Sequence, residues 1–481
     1  MSLADNAARG AAVTFFGQGL RFVLQLISVS LLARILAPAD YGIFAMVISI
    51  VGIATVLGDF GLSMASIQSQ TLTDAQRSNL FWTNTGLGLA LSAVVYFSAA
   101  PIAAFYDRPE LVAVTQASSA AFFLSAMSAQ FRAEVSSKLR FRWLAAADVG
   151  SQAAGLILAI ALAIQGAGYW ALVAQQVCVA AVMLCILIAG ADWIPGRPRR
   201  NSDMRALYRF GANTLGVQLY TYVTSNADNV LVGRFVGTAA LGVYTRAYQI
   251  FRLPMQQIAA PMTRVALPVL ARLQDDDRYD DYAQRAQIIL SYTFGGMFFV
   301  MAATADPTID LLLGDQWGEA KPIFAVLAIG GVFQALGYVY YWIFLSKART
   351  GLQLRYTLIG RTVMLGAMAI GVHWGPIGVA VGSTIGQILM WGLNGFIAVP
   401  KTGVNARALM QITVRPLVLY TGMLLIAAPL TVVLREQPAL TTLGALCLSI
   451  GCYLALATWL IRGVRNDLEL VFDAVRRARS R

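Results

Sequence analysis

Apolar residues run through the chain in long blocks, separated by short polar turns that contain Gly or Pro. A membrane-spanning helix needs about 20 mostly apolar residues. Against that length the blocks predict fourteen helices, over 12–36, 42–67, 79–105, 111–131, 143–165, 168–192, 206–232, 240–266, 284–311, 320–346, 354–373, 376–398, 408–434 and 439–462. The separating turns are tight, as at Pro38-Ala39-Asp40, Gly166-Ala167-Gly168 and Gly375-Pro376. The longest polar gaps, 193–205 and 267–283, are too short for a folded extramembrane domain. The pattern therefore predicts an all-α integral membrane protein.

Composition agrees. Of 481 residues, 58% are hydrophobic and only 12% are charged, about half the charged share of a soluble domain. The net charge of +12 is spread as small clusters between apolar blocks, so it does not describe a nucleic-acid surface. It describes orientation. With both termini on the cytoplasmic side, 27 Lys and Arg fall on that side and five (Arg34, Arg108, Arg234, Lys321 and Arg435) on the other. That asymmetry follows the positive-inside rule and requires an even helix count. The first block is too long for a cleaved signal and contains Gln18 and Arg21. Cys178, Cys185, Cys447 and Cys452 all lie in apolar blocks, where Cys acts as a small hydrophobe. With His373 the one histidine, neither a metal site nor a cofactor is expected.

An internal repeat organises the blocks. Arg34 to Phe44 aligns without gaps on Arg234 to Tyr244, pairing Gly42 with Gly242. At the same offset Ala12, Thr14 and Gln18 match Ala212, Thr214 and Gln218, and a weaker echo pairs Gly166 and Ala171 with Gly375 and Ala380. An offset of six helices makes the repeats parallel. This predicts two pseudo-symmetric six-helix lobes, 1–200 and 201–400, around a central cavity, followed by two C-terminal helices and a basic tail in 401–481.

The charges within apolar blocks are the candidate chemistry. An ionisable group there costs roughly 2.5–3.5 kcal/mol and usually faces a cavity or a partner. The candidates are Arg21 in the first block, Asp59 in the second, Asp228 in the seventh, Arg246, Arg252 and Arg264 in the eighth, and Arg361 in the eleventh. At about 100° per residue, Arg246, Gln257 and Arg264 lie within about 20° of each other, and Gln249, Gln256 and Arg252 widen that sector to about 140°. The eighth helix is therefore expected to carry a basic, amide-rich face. Arginine forks suit phosphate oxygens, and glutamines suit sugar hydroxyls. Asp59 and Asp228 each fit two roles, ion coupling or structural pairing. Pro254 and Pro261 predict a kink in this helix. The acidic run Asp275 to Asp281 has no nucleotide-sugar domain around it and reads as a solvated loop. The cluster Arg132, Glu134, Lys138, Arg140 and Arg142 is accounted for by orientation.

Three stretches carry a family resemblance: Arg34–Phe44 with its echo Arg234–Tyr244, Asn226-Ala227-Asp228 through Arg234, and Leu311 to Trp317 with Pro322. The segment from Arg132 to Phe141 fits as well. Together they resemble the polysaccharide transport (Wzx/WzxC-type) flippases of the multidrug/oligosaccharidyl-lipid/polysaccharide exporter superfamily. The resemblance covers essentially the whole chain. It implies a V-shaped bundle of two six-helix lobes plus two helices. It also implies translocation of undecaprenyl-pyrophosphate-linked oligosaccharide across the bacterial inner membrane, by alternating access, for exopolysaccharide or O-antigen assembly. A polysaccharide polymerase and a chain-length regulator are the implied partners, beside membrane lipid. A cation-coupled multidrug or metabolite exporter is the alternative within the superfamily; a membrane glycosyltransferase or polymerase is the alternative outside it. The lobes are not chemically equivalent, because Arg21 aligns with Thr221 and Asp228 with Ser28.

Overall fold

The structure, a computed structural model, describes residues 3–59, 73–198, 205–434 and 436–479. Among these residues there are helices and no strand. The chain forms two compact packing units, Met1–Gly242 and Val243–Arg481.

The first unit contains α1 (Leu3–Ile35), α2 (Pro38–Asp59), α3 (Asp74–Phe97), α4 (Ala99–Tyr106), α5 (Leu111–Ser137), α6 (Phe141–Ile164), α7 (Trp170–Gly190) and α8 (Arg205–Phe235). It ends in the first turn of α9 (Thr238–Arg272). The second unit holds the rest of α9 and then α10 (Arg278–Leu290), which passes through a π-helical turn at Ser291–Gly295 into α11 (Gly296–Ala303). It continues with α12 (Ala305–Leu312), α13 (Ala320–Ser346), α14 (Thr350–Gly371), α15 (Gly375–Leu393), α16 (Ala406–Val433), α17 (Ala439–Leu460) and α18 (Arg462–Arg479).

Among the described residues each expected block falls on helix, the third as α3 and α4 joined at Ser98, the ninth as α10 to α12, while 60–67 of the second block lies outside them. Ten stretches of the described residues are long and apolar enough to cross a membrane, and one of them, 350–402, carries both α14 and α15. The chain is therefore a multi-pass membrane protein. The helices overrun the apolar blocks. α9 continues to Arg272 and α10 begins at Arg278, so the expected polar gap 267–283 shrinks to 273–277. Hydropathy marks where lipid is, whereas helical hydrogen bonding continues into water wherever the residues tolerate it. α9 is one element through Pro254, Pro261 and Pro268.

One helix sits at the centre of each unit. α5 packs on α2, α3, α4 and α7, and α13 packs on α11, α12 and α15. Both are buried along most of their length, as a helix enclosed by others must be. Their ends are copies of one another. α5 closes in Ser137-Lys138-Leu139-Arg140, with Leu139 at φ 53°, and α13 closes in Ser346-Lys347-Ala348-Arg349, with Ala348 also at φ 53°. The backbone bonds match. The amides of Lys138, Leu139 and Arg140 donate to the carbonyls of Glu134, Ser136 and Val135, and those of Lys347, Ala348 and Arg349 to Ile343, Leu345 and Phe344. The following repeat-related turns share positive φ at Gly166 (81°) and Gly375 (73°). The two helix ends thus share one backbone motif.

The units differ in how their outer helices pack. On α15, Gly378, Gly382 and Gly386 recur every four residues and face α14. A Cβ on Gly378 would overlap the Gly371 carbonyl, and one on Gly382 would lie 2.5 Å from the Ala367 carbonyl oxygen. Such small-residue seams let helix backbones approach where apolar burial gives no net attraction.

Candidate functional site

The site grows out of the start of α9. Its first turn is buried at Leu241, Gly242, Val243 and Tyr244, where it meets the start of α2. A Cβ on Gly42 would overlap the carbonyl oxygen of Thr238, and a Cβ on Gly242 would overlap that of Pro38. The repeat pairs Pro38 with Thr238 as well as Gly42 with Gly242, so the two contacts are one contact seen from both sides. The repeated stretch therefore holds the two helix starts together.

Beyond that turn the inner face of α9 is aromatic. Tyr244 stacks with Tyr248 at 6.0 Å between centroids, Tyr248 meets Phe251 at 5.7 Å, and Phe251 meets Phe298 of α11 at 5.6 Å. Gly331 of α13 makes room for this ladder. A Cβ there would stand 2.5 Å from the Phe251 ring and 2.8 Å from Phe298. Farther along, Trp342 of α13 is buried, and its indole N–H donates to the Thr263 hydroxyl of α9 at 2.9 Å. These contacts fix the rotation of α9 about its axis.

That rotation leaves the predicted polar sector outward. Arg252, Gln256 and Arg264 are exposed, while Arg246 and Gln249 are half-buried. The side chain of Gln257 lies outside the described residues. The Arg252 guanidinium stands 5.6 Å from the centre of the Tyr248 ring, within the range of cation–π attraction. On α13, Tyr338 makes edge contact with Tyr341 at 6.5 Å. The structure thus places the Tyr248 ring beside Arg252. Sequence reasoning missed it. Tyr248 was readable in principle, because it precedes Arg252 by four residues and so shares its side of the helix.

The other candidates stand elsewhere. Arg21 is exposed on α1 in the first unit, and Arg361 is half-buried on α14 in the second. Asp228 is buried on α8, and its carboxylate accepts the amide of Asn229 at 2.8 Å. Beside it the Asn226 amide donates to the Tyr222 carbonyl, and the Tyr222 hydroxyl to the Ile48 carbonyl of α2. Asp59 closes α2, and its side chain lies outside the described residues.

Several charges set aside as orientation signals hold the first unit together. Glu134 is buried on α5 and pairs with Arg77 of α3 at 3.1 Å and with Lys138 at 2.7 Å. Arg132 pairs with Asp148 of α6 at 2.9 Å. Arg140 binds Asp192 and the Gly190 carbonyl after α7. In the acidic run, Asp276 takes the Arg278 guanidinium at 2.7 Å, and Asp280 accepts the Asn405 amide at 3.2 Å. Arg278 holds the Asp276 carboxyl down at about 2, through side-chain and backbone hydrogen bonds.

Comparison with known proteins follows the same lines. The polysaccharide biosynthesis protein family matches residues 31–322, well over half of the chain. The lipopolysaccharide biosynthesis protein WzxC of Escherichia coli (strain K12) is 24% identical over 449 residues, covering 91% of this chain and 90% of the relative. The teichuronic acid biosynthesis protein TuaB of Bacillus subtilis (strain 168) is 27% identical over 73% of each chain. The succinoglycan biosynthesis transport protein ExoT of Rhizobium meliloti (strain 1021) is 26% identical over 64% of this chain and 63% of its own. Among solved structures, the lipid II flippase MurJ in an inward closed conformation superposes with a TM-score of 0.68 at 14% identity, covering 94% of this chain and 99% of MurJ. An inward-facing multidrug resistance MATE family transporter of the MOP superfamily gives 0.63 at 15% identity, over 81% of this chain and 96% of its own. These likenesses in sequence and fold agree: the chain belongs to the polysaccharide biosynthesis protein family and carries the fold of MOP-superfamily transporters.

Proposed function

We infer that the chain is a flippase that moves a lipid-linked oligosaccharide across the membrane for extracellular polysaccharide assembly. The observation that carries this reading is its family, whose matched relatives are named for building or transporting surface polysaccharides. The fold it shares with a lipid flippase is consistent with it. The work is translocation, not bond making, so the chain acts as a transporter and not an enzyme.

The substrate is undecaprenyl-pyrophosphate-linked oligosaccharide, and the mechanism is alternating access between lobes 1–200 and 201–400, with 401–481 appended. The chain sits in the bacterial inner membrane with both termini cytoplasmic, beside a polymerase and a chain-length regulator. The outward face of α9 supports the substrate reading. Arg252 presents a guanidinium fork of the kind that grips phosphate oxygens in pairs, and Gln249 and Gln256 offer amides to sugar hydroxyls. Arg246, Arg264, Arg21 and Arg361 extend the positive potential available to the diphosphate. The polyprenyl tail remains in lipid, so the protein need only replace the hydration of the head group. Asp59 and Asp228 are left for ion coupling or for bracing the helices that carry them.

Arg252→Ala is expected to abolish polymer production at unchanged membrane level, and Arg252→Lys to leave a partial yield because charge survives without the fork. Full polymer yield from Arg252→Ala would remove Arg252 from the site. The flippase reading itself rests on purified protein in proteoliposomes, where lipid-linked oligosaccharide must become accessible on the opposite leaflet.

A further inference from the structure

The C-terminal segment, expected as a basic tail, is the helix α18, and its construction points to a membrane surface. α17 ends at Leu460 and α18 begins at Arg462, with Ile461 alone between them. A span that ends one residue away leaves α18 no reach beyond the interface. Its inner face is fastened to the bundle. Val464 and Val471 are buried, and the Asp467 carboxylate takes the Arg415 guanidinium of α16 at 2.7 Å and the Tyr292 hydroxyl at 3.0 Å. Arg415 also donates to the Gly463 carbonyl at 3.1 Å. The latch sets which side of α18 faces out.

On one outward flank an aromatic ring stands among cations. At about 100° per residue, Leu468, Phe472, Arg465 and Arg476 fall on an arc of about 80°. Phe472 is 64% exposed, and Arg465 and Arg476 are exposed beside it. That arc contains no acid. Glu469, which pairs with Arg465 at 3.1 Å, and Asp473 lie beyond its edge with Asn466 and Arg462. Trp459 and Ile461, just before the helix, are exposed as well. Exposed apolar residues beside arginines suit a helix that lies in the headgroup region.

We propose that the Phe472 flank of α18 is a binding surface for anionic phospholipid, with Phe472 inserted among the acyl chains and Arg465 and Arg476 on the headgroup phosphates. Charge complementarity and the one-residue junction to α17 select a lipid surface over a soluble partner. Asp467 serves this surface by positioning it, since its carboxylate is spent on Arg415 and Tyr292.

The test uses full-length protein in nanodiscs of phosphatidylcholine, with or without phosphatidylglycerol replacing part of the lipid, and follows amide hydrogen exchange of residues 462–479. Phosphatidylglycerol is expected to slow exchange in α18 by about fivefold for each arginine engaged. Added salt is expected to reverse most of that slowing. Arg465→Gln with Arg476→Gln is expected to abolish the lipid dependence while exchange in α13 and α16 stays unchanged. Phe472→Ser is expected to raise exchange in both lipids. Equal exchange in the two lipids, or a dependence that survives the double arginine variant, overturns the proposal. So does protection that appears only when other membrane proteins are added, which would make the flank a protein-docking surface.

Discussion

Gly242 rests directly on Gly42. A Cβ on Gly242 would lie 3.2 Å from the Gly42 amide nitrogen and would overlap the Pro38 carbonyl, while one on Gly42 would overlap the Thr238 carbonyl. In both cases the obstacle is backbone, which cannot rotate away as a side chain can. Gly42→Ala and Gly242→Ala are therefore each expected to destabilise the protein by about 1–3 kcal/mol, and by similar amounts. The double variant should cost less than the sum, since one displacement of the two helix starts relieves both clashes. Thermal unfolding of the four proteins checks this. Unequal or fully additive losses would mean that the two glycines do not form a reciprocal pair.

Those glycines also show what was legible in the sequence. A repeat of Arg34–Phe44 at Arg234–Tyr244 predicts equivalent backbone, and the structure supplies it. Helix positions were readable for the same reason, because lipid demands long apolar runs. The seam between α14 and α15 was present as glycines at every fourth residue from Gly378, yet it went unread. α18 was also readable, since Val464, Leu468 and Val471 recur at helical spacing. Pairings between distant helices, such as Arg77 with Glu134 or Trp342 with Thr263, leave no local trace. The polar sector of α9 was visible because it lies on one helix.

The seam between α14 and α15 gives a prediction of its own. Gly382 faces the Ala367 carbonyl oxygen at 2.5 Å from where a Cβ would stand, and Gly386 overlaps Met364 in the same way. Gly382→Val must push two backbones apart with a branched side chain, whereas Gly386→Ala adds a single methyl, which meets the Met364 Cγ, Cβ and Cα at 2.3, 2.5 and 2.8 Å. The first is expected to cost more than the overpacking range of about 1–3 kcal/mol and to lower the amount of protein in the membrane. The second should lie within that range. Quantitative membrane immunoblots and unfolding midpoints distinguish them, and the reverse order would refute the seam.

Asp276 gives a pH prediction. Its carboxyl is held at about 2, below the 3.8 it has when free of Arg278. A depressed carboxyl contributes its stability above the free value and loses it as pH falls through the folded one. The tether between Asp276 and Arg278 should therefore be intact at pH 5 to 8 and weaken only from about pH 4 towards 2. Hydrogen exchange over 273–281 should be unaffected by Arg278→Gln below that window and raised by it above. A change in the difference between the two proteins within pH 5 to 8 would contradict this.

Glu134 and its partners predict an asymmetry. The Glu134 side chain is 1% exposed, against 25% for Arg77 and 37% for Lys138. Removing the carboxylate charge leaves two cations that water can reach, so Glu134→Gln is expected to cost about 1–3 kcal/mol, the worth of hydrogen bonds to a charged group. Removing Arg77 leaves a buried carboxylate with one partner, so Arg77→Ala is expected to cost about 3–5 kcal/mol. Combining the two should recover part of the Arg77→Ala loss, because no buried charge then remains. A double variant as unstable as the sum would mean that the pair is not coupled.

Gly331 links the packing to the site. A Cβ at that position would stand 2.5 Å from the Phe251 ring and 2.8 Å from Phe298. Phe251 is adjacent to Arg252 and belongs to the ladder that sets the rotation of α9. Gly331→Ala must therefore displace the rings or turn α9, at an expected cost of about 1–3 kcal/mol. A rotation of α9 carries the Arg252 fork with it, so polymer yield should fall further than the loss of folded protein accounts for. Phe298→Leu removes ring atoms from the clash, and the double variant should regain both stability and yield. If Gly331→Ala lowers stability but leaves yield per folded molecule unchanged, then Arg252 does not depend on this packing. If it changes neither, the ladder does not hold α9 in place.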